Sequence, residues 1–142
     1  MTAASRLIGA LFVPIILSGT DKPQVTYFPK DKVDAAFSKG SVLVAGEKYR
    51  VQASHRDAPG QAEVHHLDTD VMYIVEGSAT FVTGGTVAGG KTTEPNEIRG
   101  ASINGGQAHH VSKGDVIVIP NDTPHWFQQV SPPFNYFVVK VR

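Results

Sequence analysis

The sequence predicts an all-β protein, an antiparallel sandwich or barrel with one short helix near its N-terminus. Most of the chain consists of short segments rich in β-branched and aromatic residues. Gly, Pro, Asn and Asp separate these segments at fairly even spacing. A helical pattern occurs once, near the start, and no second one of any length follows it. These three observations together favour a sandwich or barrel.

The helix is predicted around residues 31–40. Asp31 is a candidate N-terminal cap, and Val33, Ala36 and Phe37 fall on one face of a helical wheel. Gly40 stands where a C-terminal cap would be, because glycine readily adopts the left-handed conformation that ends helices.

Seven segments that follow the helix have the composition of strands. They are SVLVAG (41–46), YRVQASH (49–55), VMYIVEG (71–77), SATFVTGG (78–85), GDVIVIP (114–120), HWFQQV (125–130) and NYFVVKV (135–141). A further short strand is predicted over 61–66. Between Thr83 and Gln107 the chain carries seven glycines and a proline, which predicts a long hairpin or a lid loop.

Length and charge limit the kinds of partner. A chain of 142 residues is one domain's worth, and residues 21–142 are predicted to form that domain. Thirteen basic and thirteen acidic residues cancel without any block of like charge, so neither nucleic acid nor a membrane surface is an expected partner. The expected ligand is a small molecule. The absence of cysteine excludes disulfides and thiolate metal sites.

Residues 1–20 allow two interpretations. An apolar run from Leu7 to Leu17 follows Arg6 and precedes the small residues Ser18 and Gly19, which is the outline of a secretory signal peptide. Pro14 interrupts the run, and Arg6 is the only basic residue before it, so a structural N-terminal strand is the alternative. A cleaved signal would make the protein secreted or periplasmic; otherwise it is expected in the cytoplasm.

The chemistry is expected around the stretch EVHHLDTD (63–70). On a strand, Glu63 and His65 share one face and the adjacent His66 points away. Asp70 opens the next strand close to where the first one ends, and His125 begins a strand far downstream. Two imidazoles and two carboxylates from neighbouring strands form a set that suits a divalent transition metal.

These residues carry a resemblance to the cupins. The first cupin motif is glycine, five residues, His-x-His, three or four residues, glutamate, six residues and glycine. Here Glu63-Val64-His65, four residues, Asp70, six residues and Gly77 follow that spacing with two ligand types changed.

The second cupin motif is glycine, five residues, Pro-x-Gly-x-x-His-x-x-x-Asn. Gly114, five residues, Pro120 and His125 match it, with Asp122 and Gln129 at positions where glycine and asparagine are usual. The resemblance covers roughly residues 40–142. The chain is also similar to small bacterial cupins that carry phrases like TDVMYIVEGSATFVTGG and KGDVIVIPNDTPHWF.

The resemblance implies a double-stranded β-helix, or jelly-roll barrel, that holds one divalent Mn, Fe, Ni or Zn ion. Carried over by position, it implies metal contacts from Glu63, His65, Asp70 and His125. Aspartate is one methylene shorter than the usual glutamate, so Asp70 either binds through water or orients His65. If Asp70 does not bind the metal, the remaining ligands are His65, His125 and Glu63, a set that suits non-haem Fe(II).

Four further residues have two interpretations each. Only one of His109 and His110 can face inward on a strand, where it would act as an acid or base near the metal; the alternative is a strand with a polar outer face. His55 and Arg56, in ASHRDAPG, would close over a substrate carboxylate or phosphate; the alternative is an arginine–aspartate pair that fixes a turn.

The expected function is a metal-dependent enzyme acting on a small molecule inside the barrel. Oxygen-dependent oxidation is favoured, with lyase and isomerase chemistry as further options. The alternative is a non-catalytic cupin module that binds a small ligand or a metal. Aromatic and valine residues on both faces of the last strand predict that subunits pair as a homodimer.

Overall fold

The computed structural model describes residues 24–142. The signal peptide or N-terminal strand predicted over residues 1–20 lies outside the described residues. No helix in the described range is long and apolar enough to cross a membrane.

The helix α1 spans Lys30–Lys39. Gly40 adopts the left-handed conformation with φ of 61°, and its N–H donates to the carbonyl of Phe37, which confirms the predicted C-terminal cap. The predicted N-terminal cap is wrong. Pro29 occupies the capping position without a side-chain hydrogen bond, and Asp31 lies within the first turn. Its charge is favourable there because the helix dipole is positive at that end.

Eleven strands follow in the described range. They are β1 (Ser41–Ala45), β2 (Tyr49–Arg56), β3 (Ala62–His65), β4 (Thr69–Thr83), β5 (Thr86–Ala88), β6 (Lys91–Glu94), β7 (Glu97–Gly100), β8 (Ser102–Asn104), β9 (Gln107–Ser112), β10 (Val116–Ile119) and β11 (His125–Val141).

Two pairs of predicted strands are in fact two long strands. The segments 71–77 and 78–85 form the single strand β4, and 125–130 and 135–141 form the single strand β11. Gly77 keeps β4 continuous by adopting φ of 79° at a bend. The prolines 132 and 133 fall at a register shift of β11, where the ladder needs no N–H from them.

The glycine-rich segment 83–107 is not an irregular loop. It forms β5 to β8, in which β5 pairs with β8, and β6 and β7 form a hairpin. This hairpin adds to the main sheet because β7 pairs with β3. The prediction of a hairpin is confirmed here, and the irregular lid is replaced by ordered strands.

The main sheet has nine strands, all antiparallel to their neighbours, and β4 and β11 pair along almost their whole length. One half of the barrel has the order β9-β4-β11-β3-β7-β6, and the other has β10-β4-β11-β2-β1. The first part of β11 therefore lies beside β3, and its second part beside β2. Since these halves face each other, side chains from β2, β3, β4 and β11 meet inside.

The core fills one end of this interior. The aromatic rings of Phe81, Phe127, Phe134 and Tyr136 pack against one another, and all four are buried. Met72 and Ile74, on one face of β4, belong to the same cluster. On the outside, α1 covers the sheet around Ala53 and Phe137. The other end of the interior remains open to polar side chains.

Candidate metal centre

Three of the four predicted metal ligands converge on one point inside the barrel. Glu63 and His65 stand two residues apart on β3 and share its inner face, and His125 lies directly opposite Glu63 as the first residue of β11. Glu63 Oε2 lies 3.5 Å from His65 Nε2 and 4.0 Å from His125 Nε2. Each of the three offers one ligand atom, and these atoms lie within 4.8 Å of one another. The cluster could hold a metal ion.

The hydrogen bonds of the two imidazoles engage their Nδ1 atoms and leave their Nε2 atoms free for a metal. His65 Nδ1 donates to the carboxylate of Glu97 at 2.7 Å, and His125 Nδ1 donates to the carbonyl of Thr123 at 3.0 Å. Because both partners are acceptors, each Nδ1 carries a proton, and in the neutral ring the Nε2 atom then carries a lone pair. Both Nε2 atoms are buried and have no hydrogen-bond partner in the described part of the chain.

Buried polar atoms without partners are rare in folded proteins, and each one calls for an explanation. Here both orphaned nitrogens point into the same cluster as Glu63 Oε2. An imidazole that donates through Nδ1 to a carboxylate or a carbonyl is the usual arrangement of a metal-binding histidine. The residues present therefore fit a metal ion.

Asp70 lies beside this cluster, against the same nitrogen of His65 that Glu63 approaches. It is 2% exposed, and its Oδ2 is 3.4 Å from His65 Nε2. Both carboxylate oxygens accept hydrogen bonds from Lys140 Nζ, at 2.9 and 3.0 Å. Burial acts to raise the pKa of Asp70, but the contacts with His65 and Lys140 outweigh it and hold the pKa below its usual value. Asp70 is thus an anion with its own cationic partner.

The two histidines have different proton affinities. Burial is the largest influence on both and disfavours the charged ring. For His125 burial prevails, with help from the nearby His65, and the pKa is lowered. For His65 the pKa is raised, because Asp70 and Glu97 supply negative charge that outweighs burial and Lys140.

Three important residues were not predicted from the sequence. Glu97 and Arg99 share one face of β7, and the register places Glu97 opposite His65 and Arg99 opposite Glu63. Arg99 Nη1 donates to Glu63 Oε1 at 2.8 Å. A charged pair at a spacing of two in EIRG is a strand signal, although the glycines around it indicate a loop. The third residue is Lys140, which the register of β11 places opposite Asp70.

The cluster opens on a cavity of about 390 Å³ between the two halves of the barrel. Its wall is strongly charged. The basic side chains that line it are Arg50, Arg56, Arg99 and Lys140. The acidic side chains are Glu63, Asp70, Glu94 and Glu97. Met72 and Phe127 supply the apolar part of the wall.

The remaining histidines lie elsewhere. His66 is exposed and pairs with Asp122, so the choice of His65 as the inward residue is confirmed. His109 and His110 are both exposed on β9, and the idea that one of them faces inward beside the metal is wrong. His109 Nε2 instead lies 3.1 Å from Thr83 Oγ1. This outcome agrees with the alternative of a polar outer face.

Comparison with known proteins identifies the fold. A conserved protein with a double-stranded β-helix domain from Klebsiella pneumoniae is similar with a TM-score of 0.57 and 17% identity, over 83% of this chain and 90% of that one. A protein from Bacillus halodurans is similar with a TM-score of 0.56 and 14% identity, over 86% and 83%. This chain has the double-stranded β-helix fold. The double-stranded β-helix predicted from its two motifs is therefore confirmed.

The other comparisons do not identify a family or a function for this chain. No family model matches the sequence, and no curated protein matches it either. A Streptomyces protein described as a nucleoside dehydratase aligns with a TM-score of 0.49 and 14% identity, over 70% of this chain. This chain spans 63% of the length of that protein.

Proposed function

We propose that this protein is a cupin and a metal-dependent enzyme that acts on a small molecule in the barrel. The observation that carries the proposal is the pair of buried, unpartnered Nε2 atoms of His65 and His125 beside Glu63 Oε2. Two histidines and a carboxylate suit divalent Fe, Mn, Ni or Zn and leave positions open for a substrate. Oxygen-dependent oxidation is the first reaction to test, followed by lyase and isomerase reactions.

The protein side of the chemistry follows from the contacts. When bound, a divalent ion supplies Lewis acidity and a centre at which oxygen or substrate can bind. Glu97 fixes the ring orientation and tautomer of His65, and the Thr123 carbonyl does the same for His125. Arg99 holds Glu63 in place through Oε1 and leaves Oε2 directed at the histidines. Phe127 and Met72 keep part of the cavity wall apolar, which limits water near the site.

We propose that Asp70 stabilises the metal site through its charge without binding the ion directly. Direct binding by Asp70 is the alternative. Lys140 occupies both of its oxygens, and the cluster of ligand atoms within 4.8 Å comprises Glu63, His65 and His125. The negative charge of Asp70 lies close to His65 Nε2 and favours a cation there. In a direct bond to the metal, one oxygen of Asp70 would serve Lys140 and the ion together through its two lone pairs.

The alternative, a non-catalytic module that binds a small ligand or a metal, is supported by one observation. Glu63, Asp70 and Glu97 are each held by Arg99, Lys140 or His65. In the described part of the cavity, the carboxylates nearest the histidines are therefore all engaged, and none is free to serve as a general base. An enzyme would then depend on the metal for that role.

The test is elemental analysis of the purified protein after reconstitution with Mn, Fe, Ni and Zn in turn. We expect one metal ion per chain in the wild type and its loss in His65→Ala and in His125→Ala. His110→Ala, which removes an exposed histidine, is the matched control and keeps the ion. No bound metal in the wild type would contradict the proposal. Turnover with one metal, screened by oxygen uptake, separates the enzyme from the binding module, which would show only ligand-dependent stability.

A further inference from the structure

The charge of the cavity indicates what kind of molecule the proposed site accepts. Four basic and four acidic side chains line the cavity and cancel. The two histidines are neutral when their Nε2 atoms bind a metal. A divalent ion therefore leaves an excess of about two positive charges in a confined space. Such an excess favours a dianionic ligand.

The basic residues are not equivalent. Arg99 pairs with Glu63 and Lys140 pairs with Asp70. Arg56, in contrast, has no carboxylate within 4 Å among residues 24–142, although its side chain lines the cavity and is half-buried. A half-buried guanidinium with no anion beside it is costly unless a ligand supplies the charge.

Arg56 is also held in position. Its Nε donates to the hydroxyl of Tyr136 at 3.0 Å, and its guanidinium lies over the ring of Phe127, 5.1 Å from the centroid. Using Nε for Tyr136 leaves the two terminal nitrogens for a bidentate partner. A carboxylate is the partner that matches this fork.

Gly60 makes room for this arrangement. A Cβ at position 60 would lie 2.5 Å from Arg56 Nη1 and 3.0 Å from its Cζ. The backbone of Gly60 is fixed by two hydrogen bonds, from its N–H to the carbonyl of Phe127 and from Trp126 Nε1 to its carbonyl. Any side chain at position 60 would therefore displace the guanidinium, which is the more mobile of the two groups.

The distance between Arg56 and the histidines sets the size of the ligand. Phe127, over which Arg56 lies, is two residues after His125 on the same face of β11. Two residues of a strand span about 7 Å. A small diacid with four or five carbons is long enough to bind the metal at one end and to place its second carboxylate against the guanidinium of Arg56.

We propose that Arg56 binds the second carboxylate of a small dicarboxylic acid whose other end chelates the metal ion. This inference rests on the proposed metal site and names the substrate class of that site. One negative charge meets the metal and the other meets Arg56, which together offset the excess charge of the cavity. Gly60 and Tyr136 position the guanidinium and do not touch the ligand in this scheme.

The test is calorimetric titration of the zinc-loaded protein, since zinc has no redox chemistry of its own. The probes are malate and 2-hydroxyglutarate, each compared with the monoacid of the same length, 2-hydroxybutyrate and 2-hydroxyvalerate. All four probes carry the chelating 2-hydroxy acid group. Within each pair, the diacid and the monoacid differ only at the far end of the chain. We expect at least one diacid to bind about tenfold or more tightly than its monoacid, as a bidentate charged hydrogen bond implies.

Three variants identify the source of that advantage. Arg56→Gln and Gly60→Ala are each expected to reduce the ratio to about one; Gly60→Ala does so without removing the charge. Arg50→Gln is the matched control. Arg50 lies on the same strand, lines the same cavity and also lacks a carboxylate within 4 Å in the described range, but Tyr136 and Phe127 do not hold it. This variant should keep most of the advantage.

Two results would overturn the proposal. Equal losses in Arg50→Gln and Arg56→Gln would show diffuse attraction instead of a built site. No advantage for either diacid in a protein that holds zinc would reject the ligand class while leaving the metal site intact. Zinc content is measured first for every variant, so that a failure of the metal site is recognised as such before any titration is interpreted.

Discussion

The carboxylate of Glu97 contacts Nδ1 of His65 through both oxygens, at 2.7 and 2.8 Å. The contact joins a residue of the glycine-rich segment to a proposed metal ligand 32 positions earlier in the chain. It determines which nitrogen of His65 carries the proton, and therefore which nitrogen is available to a metal.

Glu97→Gln should weaken metal binding without abolishing it. The glutamine keeps the shape but loses the charge that orients His65, and losses of about 10–100-fold are typical for such partners. Competition of the protein with a chelator of known affinity measures the effect. Glu94→Gln removes a carboxylate from the same cavity wall and serves as the control, with an expected change below about threefold, as for weak interactions of an exposed charge. Similar losses in both variants would refute a specific role for Glu97.

Asp70→Asn tests whether Asp70 is a ligand. Because Lys140 holds both oxygens of Asp70, we expect the variant to retain one metal ion per chain. Its stability should fall by about 3 kcal/mol, the lower end for buried ion pairs, since the half-buried ammonium of Lys140 loses its charged partner. Elemental analysis and urea unfolding of the same sample measure the two effects. Loss of the metal in a variant that remains folded would place Asp70 among the ligands.

The metal-free protein should lose stability on acidification in a way that depends on Asp70. The pKa of Asp70 is lower in the folded state than in the unfolded chain. Its stabilising contribution is therefore complete above the unfolded carboxyl pKa, about 4, and is lost as the pH falls below that value towards the folded pKa. Urea unfolding between about pH 6 and pH 3 should show a steeper decline in the wild type than in Asp70→Asn. Parallel curves would contradict the assignment.

Gly77→Ala should be among the most destabilising single substitutions in the barrel. The residue has φ of 79°, and a Cβ there would lie 2.3 Å from the carbonyl oxygen of Pro133, which is backbone. We expect a loss of at least about 3 kcal/mol, from the strained dihedral and the overlap together. Gly84→Ala is the control, because its φ is similar, 74°, but nothing lies within 4 Å. It should cost about 1 kcal/mol. Equal losses would show that the overlap is relieved by small shifts.

The outer face of β10 is the proposed contact between two copies of the chain. Val116 and Val118 are 63% and 60% exposed, and Tyr73 lies opposite Val116 on the same face. We expect light scattering to give twice the chain mass of 15.2 kDa and the double variant Val116→Lys, Val118→Lys to give a monomer. Val42→Lys, on the strand β1 at the other edge, should leave the dimer intact. A wild-type monomer would reject this interface.

Local patterns were sufficient to predict most of the fold. The composition of short segments located most of the strands, and motif spacing selected His65 over His66. The helix ended at Gly40 as predicted because a left-handed glycine is a local signal. These successes share a cause, which is that each depends on residues close together in sequence.

The missed features depend on pairings between distant segments. A glycine such as Gly77 usually indicates the end of a strand in a sequence. Here β4 continues through Gly77 because β11 pairs with β4 on both sides of the bend. Glu97 and Arg99 reach the site only because β7 adds to β3, and no local pattern encodes that register. Lys140 meets Asp70 across 70 residues of chain. The cluster of Glu63, His65 and His125 was therefore predictable, and the charged residues around it were not.

The β6–β7 hairpin has a consequence for the energetics of the whole site. It joins the main sheet through β3 alone, yet it carries both Glu97, which holds His65, and Arg99, which holds Glu63. A hairpin attached along one edge is the kind of unit that opens without global unfolding, and one opening would remove both supports together. By thermodynamic linkage, an ion that binds more tightly when the hairpin is closed must stabilise the closed hairpin by the same free energy. Order in the glycine-rich segment and affinity at the histidines are thus two measures of a single equilibrium.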